Sequence, residues 1–66
     1  MILTKHQLEP LLNELDYDYK TSIGFWFRYY YDIDFCIKLN DTYVLNFNTP
    51  KEELMFALKY SNYIYK

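Results

Sequence analysis

From Ile23 to Leu39 every odd-numbered position is apolar or aromatic: Ile23, Phe25, Phe27, Tyr29, Tyr31, Ile33, Phe35, Ile37 and Leu39. After Asp41 the odd set resumes as Tyr43, Leu45 and Phe47. Alternation rich in aromatic and β-branched residues predicts strands with one buried face. The run is too long for one strand in a chain of 66 residues, since strands usually hold about 5–6, so it is expected to fold back on itself. A slip of one residue turns every side chain to the other face, so loops with an odd number of residues keep odd positions opposite odd ones. Loops at 30–32 and 40–42 then pair Phe27 with Phe35, Phe25 with Ile37, Ile37 with Leu45, and Phe35 with Phe47. The two-residue turn Asn40–Asp41 would instead set Leu45 opposite Cys36 and Phe47 opposite Asp34. Burial is expected to prevail, although Thr42 is a poor residue for a left-handed loop position.

Two helices are expected around these strands. Leu8, Leu11, Leu12 and Leu15 have the spacing of one helix face. Thr4 and Gln7 can form a capping box, with Leu3 stapled onto Leu8. Pro10 leaves two starts open. The helix begins at Thr4 and kinks where Pro10 deletes the bond to the His6 carbonyl, or it begins at Pro10 behind an extended or single-turn lead-in. Near the other end, Thr49-Pro50-Lys51-Glu52 supplies an N-cap, a first-position proline and an acid in the first turn. Leu54, Ala57, Leu58, Ser61 and Ile64 or Tyr65 form the predicted inward stripe, the helix reaching Tyr60 to Tyr63. Residues 16–22 read as a linker able to pair at a sheet edge. The predicted fold is a single α+β domain over residues 1–66, ordered α-β-β-β-α, with a three-stranded antiparallel sheet and the helices packed on one face.

A domain this small hides only about 60% of its unfolded surface, which argues against a deep catalytic cleft. Its 52% hydrophobic and 24% charged residues exclude disorder as the main state. No apolar stretch approaches the ~20 residues that span a bilayer, and the first residues carry no signal-peptide pattern. Cys36 is the single cysteine and has no intrachain partner. Together these features predict a cytoplasmic protein.

Chemistry-bearing motifs are few. Asp32-Ile33-Asp34-Phe35-Cys36-Ile37 resembles the metal-binding strand of minimal nucleotidyltransferases, in which carboxylates at i and i+2 share Mg²⁺ over a triphosphate. The resemblance covers six residues. It departs from the family in two ways: Ser22-Ile23-Gly24 stands where a Gly-Ser turn should open a helix, and Tyr43 to Asn48 offers no third carboxylate. Asp16-x-Asp18 lacks the oxygen ligands and turn glycine of a calcium loop. His6, the one histidine, reads as a surface residue of the first helix rather than a partner of Cys36 in a zinc or nucleophilic site. With Gly24 the one glycine, a glycine-rich phosphate loop is excluded. The expectation is a non-enzyme without metal or cofactor.

The even-numbered face of the predicted sheet is the unusual one. Trp26, Cys36 and Asn46 form one cross-strand row, Arg28, Asp34 and Asn48 the next, and Gly24, Lys38 and Val44 a third. Trp26 and Tyr30 beside Arg28 and Asp34 match the composition of binding hot spots. Trp26, Arg28, Tyr30 and Asp34 are therefore the candidate protein-binding residues, with Trp26 as anchor, unless a helix or the 16–22 segment covers the indole. The same rings suit base stacking, but a net charge of −2 and a pI of about 5.1 supply few of the cationic contacts that a polyanion needs. Glu9, Glu14, Asp16 and Asp18 favour a basic protein surface instead.

The expected function is thus that of a small protein-binding module or inhibitor. A single-stranded nucleic-acid-binding module and a homodimeric structural protein are the alternatives. In size, acidity and element order the chain resembles phage-encoded inhibitors of host enzymes such as anti-CRISPR proteins. That likeness of general form implies an anti-host role and rests on no shared motif.

Overall fold

A computed structural model describes residues 1–65. Along the chain it forms β1 (Ile2–Thr4), α1 (Lys5–Glu14), α2 (Ile23–Tyr31), β2 (Asp34–Lys38), β3 (Thr42–Asn46), α3 (Pro50–Lys59) and α4 (Ser61–Ile64). The α+β class and the three-stranded antiparallel sheet are as predicted, with strand order β1-β3-β2. The first strand, however, comes from Ile2–Thr4 and not from the 23–29 segment, which is helical.

α1 begins at once after β1. Its N-terminus has the predicted capping box: Thr4 Oγ1 accepts from the Gln7 amide, and Gln7 Oε1 accepts from the Thr4 amide at 2.9 Å. Two orphan donors are thereby satisfied. The helix runs through Pro10, whose missing N–H deletes the bond to the His6 carbonyl. Leu8, Leu11 and Leu12 are buried along its inner face, with Leu3 and Leu15 in the same cluster.

α2 departs from the strand prediction for a reason visible in its own residues. Ile23, Trp26, Phe27, Tyr30 and Tyr31 have helical spacing just as Ile23, Phe25, Phe27, Tyr29 and Tyr31 have strand spacing, because nearly every residue from Phe25 to Tyr31 is aromatic. Packing selects the helix. Phe27 is fully buried, stacked on Phe35 with centroids 5.4 Å apart and set edge-on to Trp26 at 5.2 Å. Asp32 ends α2 in a left-handed conformation (φ 55°), a position that aspartate tolerates, and the amide of Ile33 bonds back to the Phe27 carbonyl.

The β2–β3 hairpin keeps odd opposite odd, pairing Phe35 with Leu45 and Ile37 with Tyr43. The register is displaced from the predicted Ile37–Leu45 pair because the loop is Leu39-Asn40-Asp41. Asn40 (φ 62°) and Asp41 (φ 56°) take the left-handed positions, and β-branched Thr42 stays extended in the strand. Buried Leu3 and Leu45 and half-buried Phe35 and Tyr43 face the helices, while Ile2, Asp34, Lys38 and Asn46 lie exposed on the open face.

α3 starts as predicted, Thr49 Oγ1 accepting from the Glu52 amide at 3.1 Å ahead of Pro50. Its inward stripe is rotated from the expected one. Phe56 and Ala57 are buried, whereas Leu54 and Leu58 are exposed. Phe56 meets Phe47 at 5.2 Å and Tyr60 at 4.8 Å, and a phenyl ring hides more area per residue than a leucine. The helix breaks at Tyr60, and α4 brings Ile64 into the core.

Candidate protein-binding surface

α2 carries three of the four candidate residues, Trp26, Arg28 and Tyr30, and Asp34 opens β2. Trp26 and Tyr30 are one helical turn apart with ring centroids at 5.6 Å. Arg28, on another side of the helix, reaches Asp32 Oδ1 with Nη1 at 3.1 Å and Asp34 Oδ1 with Nη2 at 3.6 Å. Arg28, Tyr30 and Asp34 are exposed. Trp26 is not: it retains 5% of its surface, so the exposed anchor expected from the strand reading is a core residue.

Its cover comes from the 16–22 segment. Tyr17 stands edge-on to the indole at 5.1 Å, and its hydroxyl donates to the Thr21 carbonyl. That segment does not pair at a sheet edge. Asp16 and Tyr19 turn it through left-handed positions, and the Asp18 carboxylate accepts from the amides of Lys20 and Thr21, both at 2.9 Å, and from the Thr21 hydroxyl. These bonds favour the charged form and hold the Asp18 carboxyl below the usual carboxylate range. Burial, then the neighbouring Asp18 charge, pushes the Tyr17 phenol up.

Sequence parity assigned Phe25 and Tyr29 to the core, and the helix turns both outward. Phe25 is 62% exposed, Tyr29 69% and Tyr30 64%. They form one array: Phe25 stacks on Tyr29 at 5.9 Å, and Tyr29 meets Tyr30 edge-on at 4.9 Å. The signal that could have found this pair is its i, i+4 spacing, shared by Arg28 and Asp32. Tyr31, at the end of the helix, turns toward Phe56 at 6.5 Å, and burial raises its phenol pKa.

The nucleotidyltransferase likeness does not extend to geometry. Asp32 is the left-handed cap of α2 and lies outside β2, so the two carboxylates do not project from one strand face. The Arg28 guanidinium lies between them, and among the described residues no group of three His, Cys, Asp or Glu side chains is placed to hold a metal ion. An apolar groove of about 330 Å³ between Ile33, Phe47, Met55, Phe56 and Tyr60 has Glu52 and Lys59 among its lining residues. No described helix is long and apolar enough to cross a membrane. Compared with protein-family models, curated proteins and solved structures, the chain matches none.

Proposed function

We propose that this chain is a small protein-binding module, an adaptor or inhibitor, whose contact surface is the outer side of α2. The observation that carries the reading is the contiguous exposure of Phe25, Tyr29 and Tyr30 beside Arg28. Tyrosine and arginine are, with tryptophan, the side chains enriched at the energetic centres of protein interfaces, because they combine large contact area with a polar tip. Three adjacent rings left in water, in a chain that builds its core largely from aromatic and leucine side chains, are an apolar surface that a partner would desolvate.

On this reading Tyr29 and Tyr30 are the anchors, Phe25 extends the apolar area, and Arg28 and Asp34 orient the partner at the border. Trp26 supports Tyr30 from beneath. The acidic residues Asp16 and Asp18, in the segment whose Tyr17 covers Trp26, suit a partner with a basic rim. A free thiol at Cys36 is in keeping with action in the cytoplasm, and small size and acidity are in keeping with a phage-type inhibitor that works by covering a host protein's surface.

The test is affinity capture from host lysate with two variants. The triple variant Phe25→Ala, Tyr29→Ala, Tyr30→Ala should keep the circular dichroism spectrum of the parent and lose the captured protein. A control pair on α3, Leu54→Ala and Leu58→Ala, removes comparably exposed apolar side chains and should retain it. Equal capture by parent and triple variant would exclude this surface.

A further inference from the structure

The outer edge of β2 is built to pair with itself. The Leu45 amide donates to the Met1 carbonyl at 2.8 Å and the Met1 amino group to the Leu45 carbonyl at 3.0 Å, so odd residues of β3 direct their backbone groups to β1 and even residues direct theirs to β2. With Cys36 opposite Val44, the even residues of β2 spend their groups on β3. The amides and carbonyls of Phe35 and Ile37 therefore point away from the sheet. β2 is an edge strand, and no turn, cap or side-chain bond among the described residues uses these four groups.

We propose that two copies of the chain join β2 to β2 antiparallel about a two-fold axis at Cys36, making one six-stranded sheet. In that register Phe35 faces Ile37 of the second copy and Ile37 faces its Phe35. Both are hydrogen-bonded pairs, so the four free groups on each edge are all satisfied. Asp34 comes opposite Lys38 of the second copy, and Lys38 opposite its Asp34, placing unlike charges across from each other twice. Ile37, 68% exposed in the single chain, gains an aromatic neighbour on the helix side. On the open face the apolar row Ile2, Val44, Cys36 continues directly into its symmetry mate. Moving the axis to Ile37 would set Lys38 opposite Cys36 and lose both charge pairs, so the strand's own sequence selects the register.

The occupant of this edge is a second copy because the edge is complementary to itself in hydrogen bonding, charge and apolar pattern at once. The proposal shares Asp34 with the border of the α2 surface, where Arg28 Nη2 lies 3.6 Å from it, but none of the exposed rings, and its test reads only self-association. Sedimentation from about 10 µM to about 1 mM should show the 8.2 kDa chain shifting toward twice that mass. Ile37→Pro removes an outward amide without touching the β3 ladder, a position where an edge strand accepts proline, and should leave a monomer with unchanged helix content.

Asp34→Lys and Lys38→Asp, each set against itself, should also be monomeric, and mixing the two should restore a dimer of one copy of each. Oxidation with diamide should then join the mixed dimer through Cys36, since opposed residues at a non-hydrogen-bonded position lie within disulfide reach. A chain that stays monomeric throughout the concentration series, or a dimer indifferent to both the proline and the charge variants, would overturn the proposal.

Discussion

Phe25 and Phe27 sit two residues apart in an alternating run, and a strand would give them the same environment. The helix does not: Phe27 is fully buried against Trp26, Tyr31 and Phe35, while Phe25 keeps 62% of its surface. Phe27→Ala should therefore cost about 3–5 kcal/mol, the usual loss for emptying a buried phenyl site. A 66-residue domain has only about 3–10 kcal/mol in all, so this variant should lose roughly half or more of its stability, with Tm lowered by more than about 12 °C. Phe25→Ala loses one exposed stacking contact with Tyr29 and gains helix propensity. The net change should lie within about 0.5 kcal/mol, under about 4 °C in Tm. Phe27→Leu, expected to cost about 1–2 kcal/mol from the lost ring carbons, keeps the comparison measurable if the alanine variant does not fold. Urea and thermal unfolding followed by far-ultraviolet circular dichroism give both values, and near-ultraviolet dichroism reports the indole packed on Phe27. Equal losses at positions 25 and 27 would refute the helical reading of α2 and the exposed aromatic array with it.

Three further predictions concern separate parts of the molecule. Trp26 should emit at short wavelength and resist quenching by iodide, and Tyr17→Ala should shift the emission red and admit the quencher; a fully quenchable indole in the parent would contradict the cover described for it. Thr49→Ala should lower stability by about 1 kcal/mol through loss of the α3 cap, or about 4–8 °C in Tm, and Thr49→Asp should recover most of it. The Asp18 carboxyl, with its folded pKa lowered by amide bonds, favours the native state above the unfolded aspartate value of about 3.9, and this contribution is lost as pH falls through the lower folded value. Carboxyl carbon resonances should show Asp18 titrating below that value, and Asp18→Asn should flatten the acid limb of the stability profile.

Features written in a few adjacent residues were legible from the chain. Thr49, Pro50 and Glu52 make a helix start wherever they are placed, and Thr4 with Gln7 closes a capping box through local bonds alone. The parity of the β2–β3 hairpin was also legible, because a one-residue slip would have put Leu45 in water. The exact register was not, since it turned on Asn40 and Asp41 accepting left-handed backbone where Thr42 does not. Of the candidate contact residues, Arg28, Tyr30 and Asp34 lie on the surface as read. Trp26 does not, because the reading rested on a strand face that α2 never forms.

The sequence by itself determined an α+β domain with capped helices and a hairpin of fixed parity, since alternation and caps act over short range. Tertiary structure alone decided the state of residues 23–31. A stretch in which almost every side chain is a ring satisfies the helical and the strand period equally, so neither period can choose. The choice was made by neighbours distant in the chain, with Phe35 stacking beneath Phe27 and Tyr17 closing over Trp26. One consequence of that choice is that Phe25, Tyr29 and Tyr30 face outward together, where a strand would have sent Tyr30 to one side and the other two rings to the opposite one.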